Sequence, residues 1–226
     1  MKMIKMAAVA VAGVALAGCR TEFNAEVPMS ALQDEAVKEL PATVRLEIMT
    51  CDDYEDSRKP SDSLVKAQEM MPRVFPTAEF TECYDQGMDT WAAFDIALPI
   101  DRDGEAGEYA SEDAFNLTYT PDLPLGVAVP PAVLERLEQA QSADMMMGSL
   151  DYAITLEVVN DTGEPLPVTV LSAWVGDQPA TLQPMEVPAG ESFALRFSDV
   201  LIDRAVETGE ATVLVDSDFL AAQFGG

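Results

Sequence analysis

The sequence predicts an α+β fold that is mainly β: an antiparallel sheet with two short helices, followed by a β-sandwich-like C-terminal domain. Three observations predict it. Apolar residues alternate with polar ones over 22–28, 42–51, 90–100 and 150–160, the two-residue period of strands with one buried face. Helical spacing is confined to short runs before residue 145. After residue 150, strand-like segments recur with Gly, Pro, Asn and Asp between them, the punctuation of a small sandwich. A chain of 226 residues suits one domain or two small ones.

The first element is a leader. Lys2 and Lys5 precede an apolar stretch over 6–17, too short for a spanning helix of about 20 residues but suited to a secretory core. It ends in Leu16-Ala17-Gly18-Cys19, which resembles the bacterial lipoprotein lipobox at all four positions. The resemblance implies that 1–18 is a signal peptide, that cleavage follows Gly18, and that the Cys19 sulfur receives a diacylglyceryl group. Two or more acyl chains hold a protein stably on a membrane. Arg20 stands where the family's inner-membrane retention signal has Asp. It implies the outer membrane, on its periplasmic or surface side, in a Gram-negative host. Residues 19–34 are also similar to the opening of small envelope lipoproteins of bacteria and their phages. That likeness implies an envelope accessory, including one that excludes a second phage.

Residues 19–144 are expected to form the α+β domain. Phe23, Ala25 and Val27 put one face of a strand over 22–28 inward. Ser30 and Gln33 have capping-box spacing for a helix over 30–39 that Pro41 ends. Val44, Leu46 and Ile48 point inward from the next strand, which leads to Cys51. A polar loop precedes a helix over 61–71 capped by Ser61 and stopped by Pro72 and Pro76. A strand over 77–84, a turn at Gly87 and a strong strand over 90–100 follow; Ala92, Phe94, Ile96, Leu98 and Ile100 share its inner face. After an acidic loop over 101–113 come strands over 114–120 and 126–129. Pro130-Pro131 then opens a helix carrying Val133, Leu134 and Leu137, and Met145 to Met147 read as a hinge.

Residues 145–226 are expected to form the sandwich-like domain. Tyr152, Ile154, Leu156 and Val158 point inward from the first strand. Strands over 166–175, 180–187, 191–198 and 209–216 follow, with Trp174 and Phe197 as core anchors. Pro165, Pro167, Pro184 and Pro188 belong at strand ends or edges. Residues 198–206 read as a helical turn or crossing loop, and the apolar tail should dock on the body.

Charge narrows the function. Forty acids against 13 basic residues give −27, and loss of Lys2 and Lys5 with the leader makes it −29. Clustered Lys or Arg is missing, which argues against nucleic acid as a partner. The chain has no His, so His-based triads and metal sites are excluded. With Cys19 committed to lipid, Cys51 and Cys83 remain as a pair in an exported, oxidising setting, where a structural disulfide is the default. Closing a loop of about 33 residues would stabilise the fold by roughly 3–4 kcal/mol.

Two acidic clusters invite chemistry. Asp101, Asp103 and Glu105, beside Gly104, offer hard oxygens to calcium, although Arg102 lowers the local charge and a solvated loop is the competing reading. Asp52, Asp53, Glu55 and Asp56 supply carboxylates of the kind a glycoside hydrolase pairs. No G-x-S-x-G elbow or phosphate loop occurs. Trp91 and Tyr84 flank a hairpin tip as a recognition patch or as sheet packing. The sequence thus points to a non-enzymatic, membrane-anchored envelope protein with no cofactor and an envelope protein as partner. A calcium- or carbohydrate-binding module and a carboxylate-dependent hydrolase are the alternatives.

Overall fold

The computed structural model describes residues 20–102, 108–143 and 151–224. In chain order these are β1 (Arg20–Pro28), α1 (Met29–Gln33), β2 (Glu39–Ile48), α2 (Asp62–Val74), β3 (Glu79–Gln86) and β4 (Asp89–Asp101). Then come β5 (Asn116–Thr118), β6 (Leu125–Ala128), α3 (Pro131–Ala143), β7 (Asp151–Val159), β8 (Leu166–Val175) and β9 (Gln178–Val187). The chain ends with β10 (Ser192–Phe197), α4 (Asp199–Thr208), β11 (Glu210–Asp216) and α5 (Ser217–Phe224).

Nine strands close a barrel in the order β10-β7-β1-β2-β4-β5-β6-β11-β8, and β8 returns to β10. β3 flanks β4 and β9 flanks β8 outside the ring. Two pairs, β1–β7 and β4–β5, are parallel. The expected antiparallel sheet and sandwich are therefore replaced by one mixed barrel. Nor does a boundary at 144/145 separate two sheets: β7 pairs with β1, and β11 pairs with β6. The Met145–Met147 hinge lies outside the described residues.

The period-2 reading fixes which side chains fill the barrel. Register sets Phe23 opposite Val44 and Val44 opposite Phe94, with Ile154 across the parallel pair. Phe23, Val27, Val44, Phe94, Leu98 and Leu156 are all buried. β8 joins the two edges of the sheet. Its Val168–Val170 half pairs with β11, and its Ala173–Val175 half pairs with β10. Ser172, between the halves, has φ of 48°, a left-handed conformation costly for a residue with a Cβ. The turn it makes shifts the alternation by one. Val168 and Val170 are buried, then Ala173 rather than Trp174. Trp174 instead faces outward under the Arg196 guanidinium, 4.9 Å from the ring centroid. It is not the core anchor expected; Phe197 is buried.

The helices differ from expectation where tertiary pairing competes. α1 stops at Gln33 because β2 begins at Glu39 and already pairs Leu40 with Leu98; Pro41 sits inside that strand. Ser30 does not cap α1. Its N–H and hydroxyl both donate to Asp161 in the β7–β8 turn. α2 starts at its Ser61 cap, whose hydroxyl accepts from the Leu64 N–H at 3.1 Å. It runs past Pro72 to Val74, because Met71 and Val74 are buried and Pro72 removes a single N–H from the last turn. Residues 199–208 are a full helix with Ser198 as cap and Gly209 in the left-handed region. Among the described residues no helix is long and apolar enough to cross a membrane.

Candidate functional site

Three helices cover one end of the barrel, where β1, β4 and β7 begin and β2 and β10 end; we term it the N-terminal rim. α2 follows β2, α3 connects β6 to β7, and α4 follows β10. Arg136 of α3 fixes the lid. Its Nε donates to the Val74 carbonyl at 2.9 Å and its Nη2 to the Glu112 carbonyl at 2.8 Å. Nη1 pairs with Asp113 at 3.2 Å.

Beneath the lid lies an apolar pocket of about 460 Å³, counting the space open to solvent at its mouth. Its floor is Phe23 of β1, Val127 of β6, Ile154 of β7 and Phe197 of β10; its walls are Leu134 and Leu137 of α3 and Ile202 and Val206 of α4. No polar atom faces the space. The enclosed part is narrow, with room for about three water-sized spheres. Two smaller voids adjoin it, one deeper in the barrel and one under α2, and Phe23 borders all three. The Phe23 ring packs against Phe115 at 5.1 Å, Phe75 at 5.8 Å and Tyr152 at 6.4 Å between centroids. Such clusters bury large apolar area with defined ring geometry.

The helical stripe on α3 was legible in sequence, but not that it lines a gap. Val133 is fully buried, while Leu134 and Leu137 are half-buried at the mouth. Tyr152 also borders the space, but with its ring, since no polar atom faces it. The lining offers contact to a hydrocarbon or aromatic group, driven by removing apolar surface from water.

A second cluster sits outside the barrel on the same rim. Trp91 is 1% exposed because Arg20 and Arg45 cover it at 4.8 and 4.6 Å. Arg45 also pairs with Glu22 and donates to Tyr84 at 3.2 Å and Gln86 at 3.0 Å. Arg20 pairs with Glu22 and Asp89, both at 3.0 Å. Burial works against the Arg45 charge, but its hydrogen bonds to Tyr84 and Glu22 prevail and raise its pKa. Trp91 is thus a packed residue under cations, not an exposed recognition surface.

The other sequence candidates are dispersed. A disulfide joins Cys51 and Cys83, with Cα atoms 5.7 Å apart, and ties the 49–61 segment to β3. Within that segment Asp53 accepts from the N–H groups of Glu55 and Asp56, at 2.9 and 3.0 Å. Asp56 is held below its ordinary pKa by hydrogen bonds from Arg58 and Lys59. These carboxylates shape a loop and line none of the three cavities. Asp101 is buried at the end of β4, and its carbonyl accepts from the Tyr119 N–H at 2.9 Å. Asp103 and Glu105 lie outside the described residues, as do Cys19 and the lipobox. Among the described residues no group of three or more metal-ligating side chains comes together. Arg102 donates to the Leu32 and Ala31 carbonyls, at 2.7 and 2.8 Å, satisfying the open end of α1.

The family model of a domain of unknown function, DUF7424, matches residues 21–218, and the chain belongs to that family. No curated protein and no solved structure matches it.

Proposed function

We propose that this DUF7424 member is a non-enzymatic, lipid-anchored binding protein of the cell envelope. Its anchor is Cys19, and its binding element is the pocket under α3 and α4. The ligand is a hydrocarbon or aromatic group presented by an envelope partner. One observation carries the reading: a pocket into which no polar atom faces lies under α3 and α4, on the rim where β1 starts at Arg20, one residue after the lipobox cysteine. The Cys51–Cys83 disulfide supports an oxidising compartment. The strongly negative body supports a ligand without negative charge, since an anion would be repelled.

Two measurements test this. Intact mass of protein purified from membranes should show a chain beginning at Cys19 and carrying acyl groups, with Cys19→Ser lacking them. Titration with Nile red, a neutral apolar fluorophore, should saturate at one site. Leu137→Asp, at the half-buried mouth, should weaken that binding at least tenfold by charging a site with no polar partner. Binding indifferent to Leu137→Asp would remove the pocket from the reading.

A further inference from the structure

We infer that the N-terminal rim of the barrel lies in contact with a zwitterionic bilayer surface, with Met49 and Met88 inserted at the headgroup boundary. This rests on the lipid-anchor reading above and adds to it a face and an orientation. Arg20, the first described residue, is already paired with Asp151, and its Cα is about 3.8 Å from that of Cys19 across one peptide bond. No spacer separates the acylated residue from β1. The rim is therefore held at the depth of its own anchor.

The side chains beyond Arg20 at that level suit an interface. Thr21 pairs with Leu46, and Glu47 pairs with Trp91, which sets Arg20 level with Glu47 and Trp91. Met49 lies two residues past that level, and Met88 three. At about 3.3 Å per residue they reach up to about 7 and 10 Å further, the depth at which interfacial apolar groups settle. Met49 is 84% exposed and Met88 101%. Tyr54, on the disulfide-tied segment, is fully exposed and carries a ring suited to the headgroup layer. Val206 at the pocket mouth is also exposed. Arg20, Arg45, Arg58 and Lys59 stand at the same end, but they pair with Glu22, Asp89 and Asp56; Asp52, Asp53 and Asp85 beside them, on a body of net charge −27, would be repelled by an anionic surface. This selects zwitterionic lipid.

The test uses full-length protein, purified from membranes and placed in phosphatidylcholine nanodiscs, with its methionine methyl groups labelled with carbon-13. Met49→Leu and Met88→Leu assign the two signals. A nitroxide carried on the lipid should relax both methyls several-fold faster than that of Met29, which is buried near the opposite end. A water-soluble gadolinium chelate should relax them more slowly than in detergent-free, anchor-cleaved protein. Enrichment with phosphatidylglycerol should reduce the lipid-borne effect; an undiminished effect would overturn the choice of zwitterionic lipid. Intact mass on the same sample separates the failures. Acylated protein whose Met49 and Met88 behave like Met29 overturns the rim contact and leaves the anchor standing. Protein without acyl groups at Cys19 overturns both.

Discussion

Truncating Phe23 to alanine should cost the fold about 4 kcal/mol, near the middle of the range for buried Phe→Ala changes. The structure favours that magnitude over a smaller one. Phe23 is 5% exposed, and its backbone is locked between β2 and β7, so the strand cannot move inward to fill the space. Three aromatic neighbours lose a partner, and the three adjoining voids merge. For a body of this size the loss corresponds to a fall in Tm of about 8–16 °C. Urea unfolding followed by tryptophan fluorescence measures it, with an unchanged m-value showing that the unfolded state is not the cause. The enlarged cavity should also take up benzene and recover part of the lost stability, because a ligand that binds only the folded state stabilises it. A loss below about 1.5 kcal/mol, the scale of trimming one methyl group, would refute the view of Phe23 as the plug between three voids.

Further expectations follow from single features. Reducing the Cys51–Cys83 bond should lower stability by roughly 3–4 kcal/mol on the chain-entropy account; calorimetry with and without reductant reads it, and coincident transitions would contradict it. Ser172→Gly should stabilise by about 1 kcal/mol by removing the Cβ penalty at φ 48°, whereas Ser172→Val should destabilise; thermal melts decide. Arg45→Lys should fail to protect Trp91, since an ammonium cannot stack while also reaching Glu22, Tyr84 and Gln86; a red-shifted tryptophan emission is the readout. Burial would raise the Asp161 pKa, but the hydrogen bonds from Ser30 outweigh it and lower it. Its stabilising contribution is therefore present above the unfolded value of about 4 and lost as pH falls through the folded value. The stability gap between wild type and Asp161→Asn should close in acid, and a gap constant with pH would sink the assignment.

The alternation of Phe23, Ala25 and Val27, and of Ala92 through Ile100, was readable because one face of each strand is buried and the period is local. Barrel closure was not. A sandwich and a barrel share the same alternation, and which edges meet depends on partners far apart in sequence, such as Arg20 and Asp151. Trp174 was misplaced because a single residue, Ser172, breaks the parity that had been correct through Val170. The pocket escaped for a related reason: Leu134 and Leu137 have the spacing of a core stripe, and sequence does not record whether the facing residues fill the space. The acidic clusters drew attention by composition, yet Asp53 and Asp56 hold a loop turn and Asp101 closes β4.

The parallel pairing of β1 with β7 has a consequence for how the chain is made. β1 is the first strand to leave the ribosome, but the edge it needs belongs to residues synthesised about 130 positions later. During that interval β2 can zip onto one side while the other side stays open, the situation in which edge strands find wrong partners. Late pairing between distant segments also slows folding. A truncated nascent chain ending before residue 151 should thus persist as a sticky intermediate, and a holding chaperone would be most needed in that window.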